Sequence, residues 1–150
     1  MSIFNGLNIN ATGLSLERLK LDTISTNIAN INTNATANTP AYRKKQVVFS
    51  ENLKSYRDGL IGSNPATANV NRMHSFGVQV DEIAEDDTVK LSYDPTNPAA
   101  DANGYVQMSN VNVADEMVDM IQALRTYQAN AAAVEMNKNI LRKALEISKN

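Results

Sequence analysis

Few side chains in this sequence have the types and spacing that chemistry requires. His74 is the single histidine. With a serine and a carboxylate it could build a nucleophilic triad, but no G-x-S-x-G turn accompanies it, so it reads as a solvated loop residue. Asp81, Glu82, Glu85, Asp86 and Asp87 could gather around a hard cation; a tight acidic turn between strands is the commoner meaning of such a cluster. Asp101-Ala-Asn103-Gly104 looks like a fragment of a calcium loop, yet the ligand spacing and the closing Glu are missing. Arg43-Lys44-Lys45 could touch phosphate, but three basic residues do not make a nucleic-acid surface, and a strand-edge or salt-bridge role suits them better. No glycine-rich phosphate loop of the dinucleotide or Walker kind occurs. The absence of Cys excludes disulfides, zinc–thiolate sites, iron–sulfur clusters and a thiol nucleophile. The expectation is a protein that is not an enzyme, with no catalytic residue, no cofactor and no metal.

The elements that would position these residues set the next constraint. The chain has 150 residues, a net charge of −2, 43% hydrophobic and only 5% aromatic residues. Near-neutral charge argues against a nucleic-acid partner, and no apolar run reaches the ~20 residues that span a bilayer, so no direct membrane insertion is expected. The start, Met1-Ser-Ile-Phe-Asn-Gly-Leu7, lacks the basic and apolar regions of a cleavable secretory signal.

From about Leu7 to Ile31, Leu7, Leu14, Leu21 and Ile28 recur every seven residues, with Ile24 and Ile31 three after Leu21 and Ile28. That spacing predicts a helix with an apolar seam. Its start lies anywhere from Ser2 to Gly13, because Thr12-Gly13 weakens it. Asn32 to Pro40 reads as a loop. From Val113 to Ser148 a 4-3-4-3 spacing runs through Val113, Met117, Met120, Leu124, Tyr127, Ala131, Val134, Lys138, Leu141 and Leu145. Asn112 is placed to cap it. Asp115, Glu116 and Asp119 load its first turns, and Arg142, Lys143 and Lys149 its end, as the helix dipole favours. Lys138 either sets register or marks a solvent-exposed stretch. At 1.5 Å per residue this helix is a rod of ~54 Å.

The middle has a different texture. Val47-Val-Phe49 is a short apolar run. Phe76, Val78 and Val80 alternate with polar or small residues, as do Val89, Leu91 and Tyr93, which predicts one antiparallel hairpin across the acidic Glu85–Asp87 turn. Tyr105–Met108 could add a strand. Asp94-Pro, Asn97-Pro98 and Asn103-Gly104 are turn signals, and Ser55–Asn71 reads as a mobile loop. The fold class is therefore α+β: long N- and C-terminal helices pairing as a coiled coil around a small, mainly antiparallel β middle domain. The divisions are residues 1–32, 33–110 and 111–150. Lone amphipathic helices are marginal in water, so both seams need partners.

Two segments carry a resemblance. Leu21-Asp-Thr-Ile-Ser-Thr-Asn-Ile-Ala-Asn-Ile-Asn-Thr33 resembles the N-terminal signature of the bacterial flagellar rod, hook and hook-associated proteins. Glu116-Met-Val-Asp-Met-Ile-Gln-Ala-Leu-Arg-Thr-Tyr-Gln-Ala-Asn130 resembles that family's C-terminal segment. Tyr42-Arg-Lys-Lys45, Gly77-Val-Gln-Val80, Tyr93-Asp-Pro95 and Asp101–Val106 are similar to its proximal-rod members. Thr96-Asn97 and Ser109 depart from that pattern, in loops.

The resemblance implies a structural subunit of the basal body, in the cell envelope and periplasmic space. It implies export through the flagellar type III apparatus without a cleaved signal peptide. The implied partners are other flagellar rod subunits and copies of the chain itself, forming a drive shaft. In that arrangement Leu21, Ile24, Ile28 and Ile31 are expected to pack against Met117, Met120, Leu124, Tyr127 and Ala131 within one subunit. Asn27, Asn30, Arg125, Gln128 and Asn130 are expected to face neighbouring subunits. A cytoplasmic coiled-coil adaptor is the competing reading, and a small hydrolase built on His74 a third.

Overall fold

The computed structural model describes residues 3–36, 39–55 and 73–148. The element order is α1 (Ile3–Ala29), β1 (Lys45–Ser55), β2 (Met73–Glu85), β3 (Lys90–Tyr93), β4 (Tyr105–Met108) and α2 (Val113–Ser148). Apart from Ser55, which ends β1, the loop expected over Ser55–Asn71 lies outside the described residues.

α1 passes straight through Thr12-Gly13. The Thr12 hydroxyl donates to the Ile9 carbonyl at 2.7 Å and accepts the Val78 amide at 3.2 Å, so a residue that favours turns is instead used to hold a strand. At the other end, the Thr26 carbonyl accepts both the Asn30 amide at 3.2 Å and Asn30 Nδ2 at 2.9 Å, so this side chain closes the last turn. α2 has the bounds that its 4-3 spacing predicts. Asn112 caps it: its Oδ1 accepts the Ala114 amide at 3.1 Å, and its Nδ2 donates to Asp115 at 2.9 Å.

The strands form two two-stranded antiparallel sheets, β1 with β2 and β3 with β4. The predicted hairpin is therefore absent: Phe76–Val80 and Val89–Tyr93, all described residues, do not pair with each other, and β2 and β3 belong to different sheets. β2 takes β1 as its partner, from Lys45 opposite Glu85 to Ser55 opposite Met73, with irregularities after Val48 and after Glu51. Only Val47-Val-Phe49 in β1 looks like a strand; Ser50-Glu-Asn52 is polar and hides the rest of its length. His74 lies in β2, opposite Lys54, not in a loop. The turn that should have closed the hairpin is held elsewhere. The Asp86 amide donates to the Lys44 carbonyl at 2.8 Å, and Asn110 Nδ2 donates to the Asp86 carbonyl at 3.2 Å and Thr88 Oγ1 at 3.0 Å. β3 consequently turns away and pairs with β4, where the Tyr93 and Tyr105 rings meet edge to face at 5.3 Å.

Gly77 marks where β2 crosses α1. Its φ is +101°, and a Cβ there would collide with Thr12 Oγ1 and lie 3.2 Å from Ile9 Cα. Only glycine tolerates both the left-handed backbone and the close approach. Between β3 and β4 the chain is built from local turns. Asp94, Asn97 and Asp101 each accept a backbone amide two residues on, at 3.2, 3.0 and 2.9 Å.

The helices run antiparallel. Gly6 lies against Asn137, Gly13 against Asn130, and Asn27 bonds Glu116. Lys20 and Ala123 share a cleft between them. Each step moves seven residues along α1 and seven back along α2. The buried apolar residues among the described ones are few: Leu16, Ile24, Val106, Val111 and Ala123. No described helix is long and apolar enough to cross a membrane.

Candidate functional site

The most deeply buried side chains are polar. Asn27 and Glu116 are each 1% exposed. Asn27 comes from the last turns of α1 and Glu116 from the first turns of α2, and the strip Tyr42–Lys45 leading into β1 passes between them. Asn27 Nδ2 donates to the Lys45 carbonyl at 2.9 Å and to Glu116 Oε2 at 3.0 Å. Its Oδ1 accepts the Lys45 amide at 3.0 Å and the Tyr42 hydroxyl at 2.9 Å. Both donors and both acceptor positions of the amide are thus used. Toward Lys45, Asn27 behaves like a neighbouring strand residue, giving one bond and taking one. An aspartate lacks the donors for this, and a leucine lacks both halves.

Glu116 has a second partner. Lys44 Nζ lies 2.8 Å from its Oε1, with the lysine side chain 16% exposed. Burial pulls the Lys44 ammonium down, but the hydrogen bond and charge of Glu116, with Asp119 and Asp115 behind it, outweigh that and hold it above its ordinary pKa. Burial also raises the Tyr42 phenol, and the charges of Glu85 and Glu116 add to the effect. The strip's outer side is fixed by Asn110, whose Oδ1 accepts the Lys44 amide at 2.7 Å. A cleft of about 300 Å³ adjoins the junction, lined by Glu17, Lys20 and Thr23 of α1 and Asp119 and Gln122 of α2.

The basic triplet is an ion-pairing device. Arg43 pairs with Asp87, Lys44 with Glu116 and Lys45 with Glu85 at 3.4 Å. The acidic residues are spread over separate partners: Asp81 takes Ser50 at 3.0 Å, and Asp86 takes the Thr88 amide at 2.9 Å. That second bond, with the Thr88 hydroxyl and the Lys44 charge, lowers the Asp86 pKa. The Asp101 carboxylate is occupied by the amides of Asn103 and Tyr105. Among the described residues no cluster of three His, Cys, Asp or Glu has metal-binding geometry.

The residues singled out from the sequence are distributed unevenly. On α1, Ile24 is buried and Leu21, Ile28 and Ile31 are half-buried. On α2, Met120 is half-buried, while Met117 is 54%, Leu124 43% and Tyr127 39% exposed, and Ala131 is also exposed. α2 meets α1 along Glu116, Ala123, Asn130 and Asn137, one residue before the apolar row Met117, Leu124 and Ala131. The reason is the pair of glycines on α1: Gly6 and Gly13 admit a small-and-polar row closely, which a search for apolar periodicity passes over. Lys138 is exposed. Asn27, expected at a neighbour, is turned inward, and Asn130 lies against Gly13. Asn30 caps its own helix, and Arg125 and Gln128 are exposed. No apolar periodicity marks Tyr42, Lys44 and Glu116 as a buried set; the heptad spacing of Gly6, Gly13, Lys20 and Asn27 is the signal that leads to them.

Comparison with known proteins gives this junction a context. The family model for flagella basal body rod protein matches residues 7–34. The model for the flagellar basal body rod FlgEFG protein C-terminal segment matches residues 102–147. The flagellar basal-body rod protein FlgC of Bacillus subtilis is 38% identical, over 99% of this chain and 100% of its own length. The FlgC proteins of Borreliella burgdorferi and Aquifex aeolicus are each 37% identical, over 98% of both chains and 97% of both chains respectively. Asn27 stands inside the first matched segment and Glu116 inside the second, so the buried junction is where the two join. With this identity held over nearly the full length of each relative, the chain belongs to the FlgC family and is a structural rod subunit of the bacterial flagellar basal body, not an enzyme.

Proposed function

We propose that the subunit belongs to the proximal part of the rod. There it polymerises with copies of itself and with related rod subunits into the drive shaft that carries motor torque. The supporting observation is the apolar strip that α2 leaves uncovered: Val113, Met117, Ile121 and Leu124, continued by Tyr127 and Ala131. A strip of this kind on a monomer is an interaction surface. Neighbouring subunits cover it, with Arg125 and Gln128 as polar contacts at its edge. A head-to-tail contact that does not close then generates a filament, and stiffness follows from interfaces on every side.

In this reading residues 1–32 and 111–150 are the rod-core arms, pairing as a coiled coil, and residues 33–110 form the outer body. The chain reaches the periplasmic space unfolded, through the flagellar type III apparatus and without a cleaved signal peptide. A core of so few buried apolar residues makes unfolding before export easy. Leu124→Asp tests the account, because Leu124 is exposed in the single subunit. The variant is expected to be exported at the normal level and to be missing from purified basal bodies, leaving cells non-motile. Normal incorporation and motility would overturn the reading.

A further inference from the structure

We infer that the Asn27–Glu116–Lys44 junction is a register key, which selects the observed pairing of α1 and α2 over one slipped by a single heptad. The apolar residues cannot make that choice. On α1 they return every seven residues at Leu7, Leu14, Leu21 and Ile28, and on α2 at Met120, Tyr127, Val134 and Leu141. A slip of seven residues, ~10.5 Å along the axis, therefore replaces apolar by apolar at the layers of Leu7, Leu14 and Leu21.

The row through the helix contact has the same period. In the observed register it pairs Gly6 with Asn137, Gly13 with Asn130 and Asn27 with Glu116, with Lys20 and Ala123 on the shared cleft. Slipped by one heptad, Gly6 meets Asn130, Gly13 meets Ala123 and Lys20 meets Glu116. Each of these is sterically or electrostatically acceptable: glycine against asparagine again, glycine against alanine, and a lysine against a carboxylate. What the slip destroys is the layer at Asn27. Its four-bond amide loses Glu116, and Glu116 leaves Lys44. A buried polar layer that is satisfied in one register alone is the device that fixes helix register elsewhere.

The chain has no Cys, so introduced cysteines report the register cleanly. Asn130→Cys is combined with Gly13→Cys, its partner in the observed register, or with Gly6→Cys, its partner after the slip. A disulfide requires Cα atoms within about 7 Å, and one heptad separates the two cases. In the purified full-length chain, mild oxidation is expected to cross-link the Gly13→Cys/Asn130→Cys variant and not the Gly6→Cys/Asn130→Cys variant. Adding Asn27→Leu is expected to raise the yield of the second, slipped cross-link about tenfold or more, since a buried polar group left unpaired is what held the balance. If Asn27→Leu loses its helical circular dichroism, Glu116→Leu removes the other half of the layer and should give the same shift. The inference is overturned if a folded junction variant still forms only the cross-link of the observed register. It is equally overturned if the unaltered junction allows both cross-links or neither.

Discussion

At the scale of single residues, Asn27 and Lys44 explain how two segments far apart in the chain are held together. Asn27 lies in α1 and Glu116 in α2, 89 positions apart, and Lys44 neutralises the carboxylate that the amide cannot. A buried ion pair is a weak source of net stability, yet breaking it by removing one partner leaves an uncompensated charge. Lys44→Met is therefore expected to cost about 3 kcal/mol in guanidinium denaturation at pH 8. The same group sets a pH dependence. The pKa of Lys44, like that of Tyr42, is raised in the folded chain. For the lysine, the stabilising contribution is complete below the ordinary value of about 10 and is lost as pH rises through the folded value. Denaturation midpoints should hold steady up to about pH 10 and fall above it, and the fall should be smaller in Lys44→Met.

At the scale of elements, the two helices were the legible part and the sheets were not. α2 could be bounded at Val113 and Ser148 because its period, its Asn112 cap and its first-turn acids all agree. β1 could not, because bulges break its alternation and polar residues fill its second half. Nor could the partner of β2 be read, since it depends on Lys44 and Asn110 capturing the turn at Asp86, and no local pattern encodes that capture. On α2 the spacing shows an apolar row and not its direction: an apolar stripe says that something covers it, whereas glycines on the opposing helix decide which row packs inside the subunit. The tie between sheet and helix rests on Gly77. Gly77→Ala forces a Cβ into Thr12 and into a backbone conformation that alanine resists. A loss of about 2 kcal/mol or more is expected by thermal or chemical denaturation, with Thr12→Ser relieving little of it because serine keeps the colliding hydroxyl oxygen and the Ile9 backbone stays in place.

At the scale of the whole molecule, the fully buried side chains of the helix pair lie in the half toward the junction. Leu16, Ile24, Asn27, Glu116 and Ala123 are buried around the junction, while Phe4, Met136, Ile140, Leu145 and Ile147 are exposed toward the far end of the helix pair. A rod component that assembles with other flagellar rod components can leave that end for its neighbours to cover, and covering it there makes local opening costlier. The most direct test of this account is amide hydrogen exchange on the same chain, free in solution and within isolated basal bodies. Residues 3–9 and 136–148 are expected to exchange about tenfold or more faster in the free chain than in the rod, while residues 20–28 and 116–123 differ little. Equal protection of the far ends in the two states would contradict it.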